Sequence, residues 1–404
     1  MSSLERRPPL PSGSSLGVFL VFLRLGLTSF GGPVAHLGYF RAEFVERRKW
    51  LSDRAYADLV ALCQFLPGPA SSQVGMAIGL QRAGVLGMAA AWAGFTLPSA
   101  VLLLAFSVGV SALGDLSQAG WVLGLKAAAV AVVAHAVLGM AKSLTPDARR
   151  ATIAVAVMAS VVLIPGSLTM LGALFMAGIL GLLVCRPQHD PAESGDTFPV
   201  RIRPAVAGIS LAVFGLLLGG LPILTMLTGN ATVGLFDIFY RTGSLVFGGG
   251  HVVLPLLEAE MVQTGLVESG TFLAGYGAAQ AVPGPLFTFA AFLGAVTTSG
   301  PGGMAGASIA LIAIFLPSAL LVLGVLPFWE RLRRIVGVRR ALMGVNAGVV
   351  GLLAAALYDP VFVEGVTGAA SFLVAVLSFV ALASWKAPAW AVVFAAAGLG
   401  IVLL

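Results

Sequence analysis

Stretches of about 20 apolar residues recur along the chain, and short polar segments separate them. A helix of that length crosses the hydrocarbon core of a bilayer, which is about 30 Å thick. The pattern predicts membrane-crossing helices near residues 84–112, 120–141, 151–165, 168–185, 204–227, 303–327, 341–358, 362–382 and 388–404. The expected fold is therefore an all-α polytopic membrane protein.

Two other apolar regions, residues 16–40 and 55–79, each contain a helix break. The first is interrupted by the sequence GGP at 31–33 and the second by PGP at 67–69, and such residues end or kink a helix. We expect both regions to enter the membrane and return as pairs of half-helices. Such half-helices are tolerated at membrane depth only where protein or a water-filled cavity surrounds them. If one of these elements spans the membrane instead of re-entering, the count shifts by one or two per half, so we expect about 9–13 membrane segments.

The chain contains an internal repeat. It reads FLRLGLTSFGGP at 22–33 and FYRTGSLVFGGG at 239–250, so Arg, Gly and Phe-Gly-Gly recur at identical offsets. In the same order, QFLPGP begins at Gln64 and QAVPGP at Gln280, and LPSA begins at Leu97 and again at Leu316. Ordered matches of this kind predict two related halves. The predicted domains are a cytoplasmic tail at 1–13, a first repeat at 14–186, a linker with one extra span at 187–233, and a second repeat at 234–404.

Equivalent loops of the two repeats carry opposite charges. Residues 41–54 contain five Lys and Arg, whereas the matching residues 258–271 contain three Glu and no basic residue. The loop near Asp115 has no basic residue, whereas its counterpart at 331–340 has five Arg. Because Lys and Arg mark the cytoplasmic side of a membrane protein, and one extra span separates the repeats, we expect two inverted-topology repeats.

The composition agrees with a membrane protein and excludes several other classes. Hydrophobic residues make up 58% of the chain and charged residues only 10%, and the mean hydropathy is +1.00. A soluble domain, a disordered chain and a nucleic-acid-binding protein are excluded on these grounds. The net charge of +6 follows from the cytoplasmic loops. Cys63 and Cys185 form no disulfide framework or metal cluster, so no cofactor or metal is expected.

The helix breaks predict an anion-binding site. A proline just inside a helix start leaves backbone N–H groups unpaired at the positive end of the helix dipole, which favours an anion. Ser and Thr hydroxyls after the PGP sequences can add donors. The alternative is a simple kink in which the hydroxyls bond back to the helix. For the two Gln side chains, the alternative is hydrogen bonding to the backbone groups that the break leaves unpaired. The candidate substrate-binding residues at the breaks are Phe30, Gly31, Gly32, Phe247, Gly248, Gly249, Gln64, Pro67, Gly68, Pro69, Ser71, Ser72, Gln280, Pro283, Gly284, Pro285 and Thr288.

An arginine occupies the same place in each repeat, at Arg24 and Arg241. Arg24 lies in an apolar run, where an unpaired charge costs several kcal/mol, so it should meet a ligand, a partner or water. No acidic residue lies on its own segment, whereas Asp237 lies one turn before Arg241 and can pair with it. The alternative is snorkelling to the lipid headgroups, because Arg24 lies only about 12 Å from the start of its segment. We expect both arginines to contact the substrate, with Arg24 as the principal charge.

Titratable residues near the breaks are candidate proton carriers: Glu43, Asp58, Glu260, His36 and His251. Both Glu residues lie in polar sequence that predicts loops, so solvated surface charges are the alternative. Both His residues also fit ordinary hydrogen-bonded interfacial positions. Lys126 is expected to be an ordinary interfacial residue.

The motifs together resemble the chromate ion transporter (CHR) family in its two-domain form. The resemblance rests on Arg24 with TSFGGP after it, RRKWL at 47–51, and QFLPGP in the first repeat, and on FGGG with VPGP in the second. It covers nearly the whole chain. The second repeat departs in having Gly250 where the first has Pro33, and Val246 where the first has Ser29.

The resemblance implies a multi-pass protein of the bacterial inner (plasma) membrane that exports chromate and confers chromate resistance. It also implies sulfate as a competitor of the same shape and charge, and the proton motive force as the energy source. Chromate and the lipid bilayer are then the partners, with no nucleic acid, and a homodimer is one alternative for the oligomeric state.

Other functions stay open at this point. The same fold can carry sulfate or another oxyanion, and an anion channel is an alternative of another class. An enzyme is not expected, because the sequence contains no HExxH, GxSxG or paired intramembrane carboxylates.

Overall fold

The structure is a computed structural model and describes residues 13–112, 119–164, 166–186, 198, 202–247, 252–332 and 335–404. The described residues form helices and no strands. The helices of the first repeat are α1 (Ser15–Thr28), α2 (Gly32–Arg41), a π-helical turn (Ala42–Arg47), α3 (Asp53–Phe65), α4 (Ala70–Ala112), α5 (Gly120–Leu144), α6 (Ala148–Leu163) and α7 (Ser167–Val184).

The extra span is α8 (Pro204–Thr228), and the second repeat follows it. Its helices are α9 (Ala231–Leu245), α10 (Val253–Met261), α11 (Ser269–Ala281), a 3₁₀ turn (Leu286–Thr288), α12 (Phe289–Val296), α13 (Gly303–Val325), a second 3₁₀ turn (Leu326–Phe328), α14 (Trp329–Leu332), α15 (Val336–Ala356), a π-helical turn (Leu357–Phe362), α16 (Val363–Gly365), α17 (Ala369–Ala383) and α18 (Ala389–Leu403).

Helix α4 is two helices joined by a sharp turn. Ala83 and Gly84 have non-helical backbone angles, and Gly84 has φ 63° and ψ −155°, which a residue with a side chain rarely adopts. The two arms are so close that a Cβ on Gly79 would collide with the carbonyl oxygen of Gly87. The first arm returns from the PGP break, and the second is the long span predicted near 84–112.

All nine predicted spans coincide with helices. Five helical stretches among the described residues are long and apolar enough to cross a membrane, and they lie at Ala70–Val110, Gly120–Leu144, Pro204–Thr228, Gly303–Phe328 and Val336–Gly365. The other four, α6, α7, α17 and α18, have only 15 to 18 residues, or about 22–27 Å of helix. Helix α17 begins later than predicted because α16 ends at Gly365 and residues 366–368 are not helical.

The two repeats exchange their packing partners. Helix α5 of the first repeat packs against α17 and α18 of the second, and α15 of the second packs against α6 and α7 of the first. Glycines allow both contacts, because a Cβ on Gly124 would collide with the backbone of Ala396, and one on Gly344 with the backbone of Ala177. Small residues at such crossings let helix backbones approach closely in a membrane. Each repeat therefore covers the central span of the other.

The structure differs from the sequence prediction at Lys126. This lysine was expected to be an ordinary interfacial residue, but it is only 5% exposed and lies on the buried face of α5. Its Nζ atom lies beside Gly270 at the start of α11, 2.9 Å from the position of a Cβ there. The burial follows from the packing of α11 on α5, which a position near the end of an apolar run does not reveal.

Candidate functional site

The four helix breaks meet in pairs, and each pair joins the two repeats. The Gly68 N–H donates to the Val246 carbonyl at 2.6 Å, and the Gly284 N–H donates to the Ser29 carbonyl at 2.9 Å. Each PGP turn therefore lies against the Phe-Gly-Gly break of the opposite repeat. Gly68 and Gly284 have φ of 114° and 102°, a region that favours glycine. The central meeting point expected from the sequence is thus present and is built equally from both halves.

Two serines complete these crossings. Ser99 Oγ lies 2.7 Å from the position of a Cβ on Gly284, and Ser318 Oγ lies close to the equivalent position on Gly68. Both serines come from the LPSA sequences and are fully buried. In the sequence these motifs mark the repeat, and neither serine was among the predicted site residues. Their recurrence beside the PGP motifs was the signal that could have found them.

Residues of the first repeat give this centre most of its polar character. The His36 Nδ1 atom lies 3.4 Å from Ser71 Oγ, and the His36 ring meets the Phe95 ring edge-on at 5.2 Å. The Gln73 side chain donates to the Pro67 carbonyl at 2.6 Å and to Ser318 Oγ at 3.3 Å. Gln73 was not among the expected site residues, although it directly follows Ser72, which is also buried.

The remaining break residues are less central or already engaged. Thr288 is buried, but its hydroxyl donates to the Pro285 carbonyl at 2.7 Å. Gln64 is exposed, and Gln280 is half-buried with its Nε2 atom unpaired among the described residues. Phe30 packs against Trp390 of α18 at 5.8 Å between ring centroids.

The glycines and prolines of the breaks take the conformations that a chain reversal needs. Gly31 and Gly32 both have positive φ, and α2 begins with Pro33 in its first turn. Pro69, Pro283 and Pro285 are buried at the crossings, and Phe247 is half-buried. The predicted residues Gly248, Gly249 and His251 lie outside the described residues.

The two repeated arginines have different surroundings. Arg241 pairs with Glu260 at 2.9 and 3.1 Å and with Asp237 at 3.2 Å, so the Asp237 contact suggested by the spacing is present. Its side chain is 23% exposed and lines a small cavity between α7, α9 and α10. Arg24 is exposed and takes part in no ion pair among the described residues. Of these two arginines, Arg24 is the one without an ion-pair partner among the described residues.

The acidic proton-carrier candidates are engaged as well. Glu43 pairs with Arg47 and Arg48 at 2.6 Å each, and its side chain is only 11% exposed. Glu43 lies in a π-helical turn and Glu260 lies in α10. Neither residue is therefore in a solvated loop, which their sequence had suggested. Burial raises the pKa of Glu43, but hydrogen bonds from Arg48 and Arg47 outweigh it and hold that pKa below its ordinary value. Asp58 accepts a hydrogen bond from Trp329 of the opposite repeat at 3.0 Å.

One carboxyl in the acidic loop region was not anticipated as titratable. Glu258 is only 7% exposed and accepts a hydrogen bond from Gln263 at 3.1 Å. Burial raises its pKa to about 7, with Asp359 adding to the rise. From the sequence, Glu258 is only one of the acidic residues of a predicted loop, because nothing in the sequence shows that the end of α10 is buried against its neighbours.

Comparisons with known proteins agree with this architecture. The family model described as Chromate transporter matches the chain twice, at residues 16–182 and 233–401. A chromate transport protein of Pseudomonas aeruginosa is 31% identical over 365 residues, which are 89% of this chain and 83% of that protein. One of Cupriavidus metallidurans is 26% identical over 344 residues, which are 84% of this chain and 80% of that protein. No solved structure matches the chain. Two matches to one family model, one in each repeat, show that this multi-pass membrane protein belongs to the chromate transporter family.

Proposed function

We propose that this protein is a secondary transporter that exports chromate across the bacterial inner membrane and thereby confers chromate resistance. The observation that carries the proposal is the double crossing, in which Gly68 bonds to Val246 and Gly284 bonds to Ser29. A site formed by breaks from two inverted repeats can open to one side of the membrane and then the other as the repeats move. The relatives named as chromate transport proteins support chromate as the cargo.

The chemistry of the breaks suits a tetrahedral dianion. Chromate presents four oxygens and two negative charges, and the half-helices that begin after the breaks present backbone N–H groups with the positive end of the helix dipole behind them. Arg24 supplies a charge that is not already neutralised. Arg241 is held by two carboxylates, so its contribution to substrate binding is smaller in this arrangement.

The unequal arginines also support alternating access. In an inverted-repeat transporter, one repeat moves against the other around the site, which opens the site to each side of the membrane in turn. Here the second repeat has its arginine paired with Glu260, whereas the equivalent Glu43 of the first repeat pairs with Arg47 and Arg48 instead of Arg24. In the other state we expect Arg24 to pair with Glu43, and Arg241 to lose Glu260 while it keeps Asp237 on its own helix.

We infer that the proton motive force drives the export. A coupled proton needs a group that changes its exposure between the two states. Glu43, Asp58, Glu260, His36 and His251 are the candidates, and Glu258 joins them because burial raises its pKa to about 7.

Chromate flux into proteoliposomes, measured with and without an imposed pH gradient, tests the proposal. We expect saturable chromate flux that the pH gradient accelerates and that sulfate inhibits. Flux that rises linearly with chromate concentration and ignores the pH gradient would identify an anion channel. Saturable sulfate flux without chromate flux would identify a transporter of the same fold for another oxyanion. A Gly68→Ala/Gly284→Ala double variant that inserts but carries no chromate is the control for leakage.

A further inference from the structure

The two repeats place different chemistry at equivalent positions around the crossings. Residues with hydroxyl, imidazole or amide groups in the first repeat correspond to apolar residues in the second. The equivalent pairs are Ser29 and Val246, His36 and Val253, Ser71 and Phe287, Gln73 and Phe289, and Thr96 and Phe315. Only the two LPSA serines and the pair Ser72 and Thr288 keep a hydroxyl on both sides. The pseudo-symmetric backbone therefore encloses an asymmetric centre.

In the second repeat, aromatic rings fill this space. The rings of Phe287 and Phe315 lie 6.0 Å apart, and the ring of Phe289 packs against Phe292 at 6.1 Å and Tyr276 at 5.8 Å. All five side chains are buried in the described structure. The second repeat is thus closed by apolar contacts on its side of the crossings.

In the first repeat, the equivalent positions leave buried polar atoms without partners. Five such atoms have no hydrogen-bond partner among the described residues, and their residues are at most 3% exposed. They are Ser29 Oγ, His36 Nε2, Ser72 Oγ, Gln73 Oε1 and Thr96 Oγ1. Buried polar groups are normally paired, because an unpaired one keeps its full desolvation cost. A polar ligand that reached these groups would complete their hydrogen bonds.

Contacts link most of these groups to one crossing. The Ser29 carbonyl accepts from Gly284, and Ser99 Oγ and the Phe95 carbonyl lie beside that same glycine. The His36 ring touches both the Phe95 ring and Ser71 Oγ. Thr96 directly follows Phe95, and Ser72 directly follows Ser71. Ser29, His36 and Thr96 therefore lie on residues at or next to the crossing with the second PGP turn, whereas Gln73 lies at the other crossing, beside Gly68.

We propose that the oxyanion binds within the first repeat, off the pseudo-two-fold axis, where Ser29, His36, Ser72 and Thr96 donate to its oxygens and the second repeat supplies an apolar wall. This rests on the proposed function for the nature of the cargo. Hydroxyl groups and a neutral imidazole are uncharged donors, and the hydrogen bonds they donate to an anion are stronger than those they donate to a neutral ligand. Arg24 belongs to the same repeat but lies on the exposed face of α1 with Leu20 and Leu27, so it is not part of this buried set of donors.

Two conservative substitutions test the site. Thr96→Val keeps the shape and removes one hydroxyl, and Ser72→Ala removes another. The measurement is chromate binding to the purified full-length protein, with thermal unfolding in the absence of chromate as the second readout. Each variant should weaken binding about 10- to 150-fold, the range for losing a hydrogen bond to a charged group. Without chromate, each should unfold at the wild-type temperature or above it, because the lost hydroxyl had no partner.

Matched controls are available on other parts of the chain. Thr225 Oγ1 on α8 is also unpaired among the described residues, and Ser107 on α4 is buried with its hydroxyl bonded to the Leu104 carbonyl. Thr225→Val and Ser107→Ala should leave chromate binding within about twofold of wild type. Thr96→Val and Ser72→Ala variants that bind as tightly as these controls would overturn the proposed site.

The outcomes separate this site from the proposed function. If chromate is bound and carried, but only Arg24→Ala weakens binding, the off-axis site is wrong and the transport function stands. If sulfate or molybdate binds and chromate does not, and Thr96→Val and Ser72→Ala still weaken that binding, the site stands and the chromate function is wrong. If the substitutions lower the unfolding temperature without chromate, the hydroxyls are structural and the proposal fails.

Discussion

Replacing Arg241 should damage stability more than binding, whereas replacing Arg24 should do the reverse. Arg241→Ala leaves Asp237 and Glu260 without their cation, and these side chains are only 7% and 16% exposed. Breaking a buried ion pair by removing one partner costs about 3–5 kcal/mol, because a charge stays buried without compensation. Arg24 is exposed and without an ion pair among the described residues, so Arg24→Ala should change stability by no more than about 0.5 kcal/mol.

Binding should follow the opposite order. Losing a charge-assisted contact costs about 1.5–3 kcal/mol, or about 10- to 150-fold in affinity, so Arg24→Ala should weaken chromate binding by that factor. Arg24→Lys should weaken it less, because lysine keeps the charge but loses the planar fork that contacts two oxygens at once. Arg241→Ala should weaken binding less than Arg24→Ala does.

The assay combines denaturant unfolding in detergent with chromate half-saturation in proteoliposomes. The Arg241→Ala/Glu260→Ala double variant should lose less stability than the sum of the losses in the two single variants. The reason is that Glu260→Ala removes a carboxylate that Arg241→Ala leaves without a cation. Wild-type affinity in a folded Arg24→Ala protein would show that Arg24 only snorkels to the headgroups. Wild-type stability in Arg241→Ala would refute the structural role of the ion pair.

Three further predictions concern topology, the crossings and pH. Both native cysteines are buried, so they should not react with an impermeant thiol reagent. In intact cells Arg54→Cys should be shielded from that reagent and Glu268→Cys should be labelled. Equal labelling of the two variants would contradict the inverted repeats. Gly284→Ala should destabilise the protein by about 1–3 kcal/mol in thermal unfolding, because its φ is 102°, whereas Gly398→Ala, in open space on α18, should be neutral. The folded protein keeps the Glu258 proton up to pH about 7, whereas the unfolded chain releases it near 4.5. The free energy of unfolding should therefore decrease as the pH rises from 4.5 to about 7, and Glu258→Gln should remove that part of the decrease.

The elements were predictable where the signal is local. Apolar runs located the nine spans, and glycine and proline located the breaks, because both signals depend on neighbouring residues. The meeting of the breaks followed from the rule that irregular backbone must be surrounded by protein at membrane depth. The exchange of α5 and α15 between the repeats was not predicted, because the sequence does not show which helices lie side by side.

The candidate site was predictable only in part, for a physical reason. Hydroxyl groups in apolar helices usually bond to a backbone carbonyl of the preceding turn, as Ser107 and Ser244 do. A serine or threonine in an apolar run therefore gives no sign of being free. The sequence therefore gives no reason to place Thr96, Ser99 or Gln73 at the site. Only the arrangement in space distinguishes Thr96, which has no partner among the described residues, from the ordinary case.

The exchanged packing of α5 fixes the order in which the molecule can be completed. The face of α5 around Gly120 and Gly124 is covered by α18, which is synthesised more than 240 residues later. Until α17 and α18 have been synthesised, that face of the first repeat lacks these two partners. Neither repeat reaches its final form alone, and a chain cut before α17 would leave the first repeat unfinished as well as the second. Burial of this face of the first repeat therefore depends on residues 369–404, which contain α17 and α18.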